Sequence, residues 1–204
     1  MSDCGIVEWV TAVGTLAAVV VALIVAFFPS IRRWYNRPIL KIEFENREPF
    51  CRHSSMTQSG LNVLGYWVRL RVRNVGRSLA RGCEGKLVRI TNPSDSIDRP
   101  DFDPTILHWV GTAWDKLDNS IGISKDEYEY LDVLYVMNGR PDIIEIGAEN
   151  RLPRGIRYSF EKQTIRDCTL HVVFYGVNIE TVDKSFHLRL VGDEFDKIKL
   201  EPLA

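Results

Sequence analysis

Residues 10–28, VTAVGTLAAVVVALIVAFF, run for 19 positions without a charge, and that run limits every fold open to the chain. Coiled as an α-helix at about 1.5 Å per residue, it would measure about 28 Å, close to the thickness of a bilayer's hydrocarbon core. A helix that packs against a soluble core has one apolar face and one polar face; this run is apolar on every face. A cleaved leader needs positive charge ahead of the apolar stretch and a small-residue site behind it. Here Asp3 and Glu8 stand ahead, and Phe27, Phe28 and Pro29 close the run. The sequence therefore predicts an N-terminal segment, 1–29, holding a transmembrane helix over about 10–28 that Pro29 terminates.

The flanks predict an orientation. Arg32, Arg33 and Arg37 follow the run, and no Lys or Arg precedes it. Basic residues are retained on the cytosolic side, so the segment ahead of the span is expected outside and the large domain in the cytosol. Residues 30–37 read as a basic juxtamembrane connector. Trp9 on one side, and Arg32, Arg33, Trp34 and Tyr35 on the other, are the expected membrane anchors, since amphipathic rings and basic residues collect at the interfaces. Gly14, Ala18, Ala22 and Ala26 recur every four positions and form a ridge of small residues. Lipid supplies no hydrophobic drive between helices, so close packing along such a ridge predicts a homo-oligomer through the span. A cytosolic domain keeps thiols reduced, so no disulfide is expected among Cys4, Cys51, Cys83 and Cys168.

Residues 38–204 read as one soluble β-rich domain. With 45% apolar and 26% charged residues the chain has the composition of a globular protein rather than a disordered one. A formal net charge of −1 argues against a nucleic-acid binder. Leu40, Ile42 and Phe44 alternate with Lys41 and Glu43, and Val68, Leu70 and Val72 alternate with Arg69, Arg71 and Arg73, the period of a half-buried strand. Further strands are expected over 85–90, 106–110, 129–137, 143–146, 156–160, 168–175 and 185–191. Asn92-Pro93, Asn138-Gly139 and Arg154-Gly155 mark turns between them. The polar stretch with Pro49, His53, Ser54, Ser55 and Gly60 reads as a loop, and the residues after Gly192-Asp193 as a polar tail. No amphipathic helix is expected beyond residue 40. The fold class predicted is mainly β: one transmembrane α-helix followed by an antiparallel two-sheet sandwich.

The run Val72-Arg-Asn74-Val-Gly76-Arg-Ser78-Leu-Ala80 resembles the V-x-N-x-G-x-S-x-A strand and turn of bacterial and archaeal immunoglobulin-like β-sandwich domains, the cell-adhesion-related type among them. The layout, a short span followed by such a sandwich, is similar to uncharacterised single-span prokaryotic membrane proteins. The resemblance implies an immunoglobulin-like fold at a membrane, and no reaction. Within the motif, Asn74 and Gly76 are expected to supply positive φ at the turn, with Ala80 small enough to tuck beneath it.

Arginine is the unusual residue. Between 67 and 90 there are seven Lys or Arg against the single acid Glu84. Arg69, Arg71, Arg73, Arg77 and Arg81 are the candidate anion-binding face, for phosphate, nucleotide, nucleic acid or lipid head groups. The competing expectation is a solvated face neutralised by carboxylates, of which residues 95–132 carry ten. An outward position such as Arg71 should then accept even a charge reversal.

Other chemistry is thin. His171 and His187 fall on neighbouring strands with no third metal ligand marked by spacing, and His53 beside Cys51 has the same defect. Asp126, Glu127, Glu129 and Asp132 match no calcium loop, nor does Asp101 with Asp103. Trp109 and Trp114 are expected to pack under a long loop. Phosphate loops, dinucleotide fingerprints and nucleophile elbows are absent. No catalytic, cofactor or metal residue is therefore assigned, and the expected class is non-enzymatic. The primary expectation is a membrane-anchored binding or sensor module whose partner is a cytosolic protein or anionic ligand. The second is a ligand-responsive membrane effector of a prokaryotic stress or defence pathway. An extracytoplasmic adhesion-like domain is the third, and requires inverted topology.

Overall fold

The computed structural model describes residues 3–58, 61–91, 104–112, 120–147, 159–161, 167–191 and 197–203. The chain divides into two compact units, Met1–Arg37 and Pro38–Ala204.

The first unit is the helix α1 (Asp3–Tyr35), within which Val13–Tyr35 is long and apolar enough to cross a membrane and is nowhere buried in the structure. Pro29 lies inside this helix, which corrects the expectation that it would end the span. Proline removes one intrahelical donor and crowds the carbonyl four residues back. The turns on either side remain helical, so the helix continues through Tyr35. The predicted connector is thus helical through Tyr35. Arg32 and Arg33 fall in the last turn, where cations complement the negative end of the helix dipole. The Asn36 amide closes that turn on the Arg32 carbonyl at 3.0 Å.

The second unit is two antiparallel sheets that share one apolar core. The seven-stranded sheet contains β1 (Leu40–Glu43), β2 (Cys51–Gln58), β3 (Leu61–Asn74), β6 (His108–Trp109), β8 (Tyr128–Met137), β9 (Arg140–Ile146) and β10 (Ser159–Glu161). Its order is β1-β3-β8-β9-β10, with β2 also on β3 and β6 also on β8. The six-stranded sheet contains β4 (Ala80–Thr91), β5 (Thr105–Ile106), β7 (Ile121–Ile123), β11 (Asp167–Tyr175), β12 (Val182–Leu190) and β13 (Ile198–Pro202). Its order is β13-β12-β11-β4-β5, with β7 also on β4.

Alternation accounts for the strands. Val68, Leu70 and Val72 of β3 are fully buried, and across the core Leu170, Val172 and Phe174 of β11 are equally dry. Three strands escaped the sequence reading. β2 occupies the stretch taken for a loop: it lies along β3, and Arg52, His53 and Ser55 on it are polar and exposed. β7 is three residues long. β13 occupies the supposed polar tail, although Ile198 and Leu200 are buried and in alternation, a signal that was there to be read.

One extended segment joins the sheets. Thr105 and Ile106 pair with β4, Leu107 lies wholly in the core, and His108 and Trp109 pair with β8. The Leu107 amide donates to the Gly85 carbonyl at 2.8 Å, and Trp109 Nε1 donates to the Cys83 carbonyl at 3.2 Å. Trp109 is therefore a core residue, as expected; Trp114 lies outside the described residues. Where β9 leaves β8, Gly147 passes so close that a Cβ would stand 2.7 Å from the Asp132 carbonyl carbon.

The inward row of β3 ends on a polar residue, Asn74, which is 0% exposed. Its Oδ1 accepts from the amides of Gly76 (3.0 Å) and Ile39 (3.3 Å). Its Nδ2 donates to the carbonyls of Ser78 (2.7 Å) and Ile123 (2.9 Å). Its own amide and carbonyl bond Glu127 and Asp126. This corrects the expectation for the motif. Asn74 is in extended strand, and the positive-φ residues described are Asp126, Gly82 and Gly111. Gly82, at φ 60°, sits in the irregularity between Ala80 and Cys83 where β4 meets β7. Asn74 works through its side chain, and Ala80, fully buried, packs as expected.

Replacing Asn74 by Ala would strand two amides and two carbonyls, each costing about 1 kcal/mol or more when buried without a partner. Asn74→Ala is therefore expected to lower unfolding stability by about 3 kcal/mol or more, measured by urea denaturation of the detergent-solubilised chain. Asn178, exposed and bonded to the backbone of Leu79 and Arg81, is the control, and its Ala variant should lose about 1 kcal/mol. Equal losses at the two sites would contradict the role given to Asn74.

Candidate functional site

The outward face of β3 carries the arginines, and the register places them in cross-strand rows. Lys41, Arg73 and Tyr128 form the first row, and Glu43, Arg71 and Tyr130 the second. Arg69, Asp132 and His108 form the third; Arg52, Trp67, Tyr135 and Glu145 form the fourth.

Of the five arginines predicted to make one face, three do so. Arg69, Arg71 and Arg73 share this side of the seven-stranded sheet. Arg77 lies in the connection between β3 and β4, and Arg81 stands on β4 in the other sheet, so the five do not converge. The strand pattern was legible, but the chain changes sheets between residues 74 and 80.

Two of the three are committed to carboxylates. Arg69 Nε donates to Asp132 Oδ1 at 2.7 Å, with side chains only 13% and 4% exposed. The guanidinium also lies 5.6 Å from the Trp67 ring centroid. Trp67 stacks on Tyr135 at 4.4 Å, and the Tyr135 hydroxyl donates to the buried Glu145 carboxylate. His108, buried opposite Asp132, places Nδ1 3.8 Å from Oδ2 and Nε2 3.1 Å from the Thr112 carbonyl. Arg71 donates to Glu43 from Nε at 2.8 Å and Nη2 at 2.5 Å. Its guanidinium sits 5.1 Å from the Phe50 ring centroid and 5.4 Å from that of Tyr128. Charge reversal at Arg71 would set a second carboxylate against Glu43, so the tolerance expected of this position is withdrawn.

Arg73 is exposed and has no ion-pair partner among the described residues. Beside it stand Lys41 and the half-exposed ring of Tyr128. This end of the face offers an open cation next to an aromatic surface. A groove of about 360 Å³ opens nearby, lined by Lys41, Glu43, Phe44, Arg71, Lys184 and Phe186 among others. The arrangement suits recognition of an anionic or aromatic group. The aromatic half went unnoticed in the sequence, where Trp67 alternates in step with the arginines, while Tyr128 and Tyr130 join them only through the register of β8 on β3.

The other candidates are structurally occupied. His171 and His187 sit a register step apart: His171 lies between Ser185 Oγ (2.8 Å) and Thr91 Oγ1 (3.1 Å), and His187 meets Asp167 (2.5 Å). The ring of His53 tilts on Tyr66 at 5.1 Å. Asp126, Glu127 and Glu129 are exposed, and partial burial followed by the charge of Glu127 holds the Glu129 carboxyl above its usual range. Asp101 and Asp103 lie outside the described residues, among which no group of three or more His, Cys, Asp or Glu could hold a metal. Cys51, Cys83 and Cys168 are free and buried, and burial pushes the Cys83 thiol up to about 11. On α1, Trp9, Arg32, Arg33, Trp34 and Tyr35 are exposed, as are Gly14, Ala18, Ala22 and Ala26.

Arg69→Met should cost about 3 kcal/mol or more in urea denaturation, because Asp132 loses the partner of its buried charge. Adding Asp132→Leu should return most of that loss; a double variant no more stable than the single would show that the pair is not the cause. A pH effect follows from Glu43, which the Lys41 hydrogen bond and, against the cost of burial, that of Arg71 hold below the usual carboxylate range. Its contribution is complete above the unfolded value of about 4.3 and is lost as pH falls through the lower folded value. The stability gap between wild type and Glu43→Gln should thus be constant near neutrality and shrink on acidification. A gap that widened toward low pH would refute the assignment.

Compared with protein-family models, with curated proteins and with solved structures, the chain matches none of them.

Proposed function

We propose that this chain is a membrane-anchored, non-enzymatic binding or sensor module. In this reading α1 crosses the bilayer with residues 1–9 outside, and the β domain stands in the cytosol as an immunoglobulin-like sandwich. The observation that carries it is the contrast between the two units. Val13–Tyr35 is apolar throughout and nowhere buried, while the β domain closes its own core without it. An apolar helix that no protein surface covers needs another apolar environment, and a bilayer supplies one. Orientation rests on Arg32, Arg33 and Arg37, which follow a run preceded only by acids. The resemblance of residues 72–80 to the immunoglobulin-like strand and turn, with the two antiparallel sheets, supports the sandwich type. The binding surface is the open end of the arginine face, with Arg73, Lys41 and Tyr128, and the partner is a cytosolic protein or an anionic ligand.

A second reading, a ligand-responsive effector of a prokaryotic stress or defence pathway, draws on the ridge of Gly14, Ala18, Ala22 and Ala26. A Cβ at Gly14 would meet nothing within 4 Å, so that surface is open to a second span.

Reporter fusions at Ala204 test the orientation. A fluorescent protein there should be bright and alkaline phosphatase inactive. Active phosphatase with a dark fluorescent fusion would reverse the topology and favour the extracytoplasmic adhesion-like reading.

A further inference from the structure

We propose that the last turns of α1 form a headgroup site for an anionic phospholipid, an inference that rests on the transmembrane reading and adds a ligand to it. Phe28, Pro29, Arg32, Arg33 and Asn36 line a recess of about 370 Å³ on the helix. Their spacing explains why they meet. Residues 28, 32 and 36 are four apart, as are 29 and 33, so the five side chains share one flank of the helix. The compact ring of Pro29 leaves room between Phe28 and the two longer guanidinium side chains. All five are exposed.

The chemistry of the recess selects its occupant. Two guanidinium groups stand in a stretch, residues 9–42, that contains no Asp or Glu. A planar guanidinium donates two parallel hydrogen bonds to a phosphate, which makes arginine the fitting residue for a phosphodiester. The Asn36 side-chain carboxamide adds a neutral donor. Phe28 belongs to the apolar run and would meet the glycerol and first methylenes, while the acyl chains follow the span. Arg37 is placed otherwise: its guanidinium lies 5.8 Å from the Trp34 ring centroid, and neither residue lines the recess. The position at the end of an apolar span favours a headgroup delivered with its tails over free phosphate, and the cytosolic leaflet is the one rich in anionic lipid.

The test uses the full chain in phosphatidylcholine vesicles doped with spin-labelled phosphatidylglycerol or spin-labelled phosphatidylcholine. The motionally restricted fraction of each label is read by electron spin resonance. Wild type should prefer phosphatidylglycerol by about three- to tenfold. The preference should fall to near parity in the Arg32→Gln/Arg33→Gln double variant and weaken in about 0.5 M NaCl. Arg37→Gln should keep most of it. Parity in wild type would overturn the proposal, as would an Arg37→Gln loss equal to that of the double variant, because simple charge counting would then suffice. Displacement of the label by millimolar inorganic phosphate would assign the recess to a free anion and overturn the lipid. Flotation of the same vesicles separates the two readings. A chain that does not float fails as a transmembrane protein, and the lipid site falls with it; a chain that floats without preference fails only as a lipid site.

Discussion

Asn74 stands where the inward row of β3 runs out, and the end of the core beside it depends on its carboxamide. A hydrophobic residue there would fill the space but leave the amides of Ile39 and Gly76 and the carbonyls of Ser78 and Ile123 without that partner, those of Gly76 and Ile123 in buried surroundings. Bonding all four, Asn74 ties the approach to β1, the turn into β4 and the short β7 to one point. Buried polar groups that are fully satisfied impose one arrangement, because any other leaves a partner unmade. Two other asparagines act in the same way at the margins. Asn46 bonds both the amide and the carbonyl of Leu200, and Asn178 bonds Leu79 and Arg81. Each carboxamide imitates one residue of a strand and finishes a ladder that the backbone leaves open.

The outward face of the seven-stranded sheet is graded from dry to wet along β3. At the Trp67 end, aromatic stacking and the Arg69–Asp132 pair bury charge at a cost met only by close, directed hydrogen bonds. At the Arg73 end the side chains reach solvent. The same residue type therefore does different work within three alternate positions: Arg69 is part of the structure, Arg71 is clamped between rings and a carboxylate, and Arg73 is exposed. A uniform run of arginines in the sequence becomes a gradient because its neighbours come from three other strands, β1, β6 and β8.

The alternation of residues 68–73, the β-rich fold class, the apolar N-terminal helix and the turn at Asn138-Gly139 were all legible in the sequence, because periodicity and turn chemistry are local properties. Local reading failed where pairing was decided at a distance. β2 is a strand because β3 extends far enough to template it, and its polar residues gave no sign of that. Pro29 was read as a stop because proline breaks isolated helices, yet the flanking turns hold the helix together.

The sequence by itself determined that one N-terminal stretch is long and apolar enough to cross a membrane and that the rest is mainly strands. It also placed Arg69, Arg71 and Arg73 on the outward side of β3, though not Arg77 and Arg81, which it had put on the same face. Only the tertiary structure decided which of them remain available, since Arg69 and Arg71 meet Asp132 and Glu43 from strands distant in the chain. It alone showed that Asn74 acts through its carboxamide rather than through its backbone angles. The physical reason is one of range: hydropathy and alternation act over a few residues, whereas burial and ion pairing are fixed by whichever segments the fold brings together.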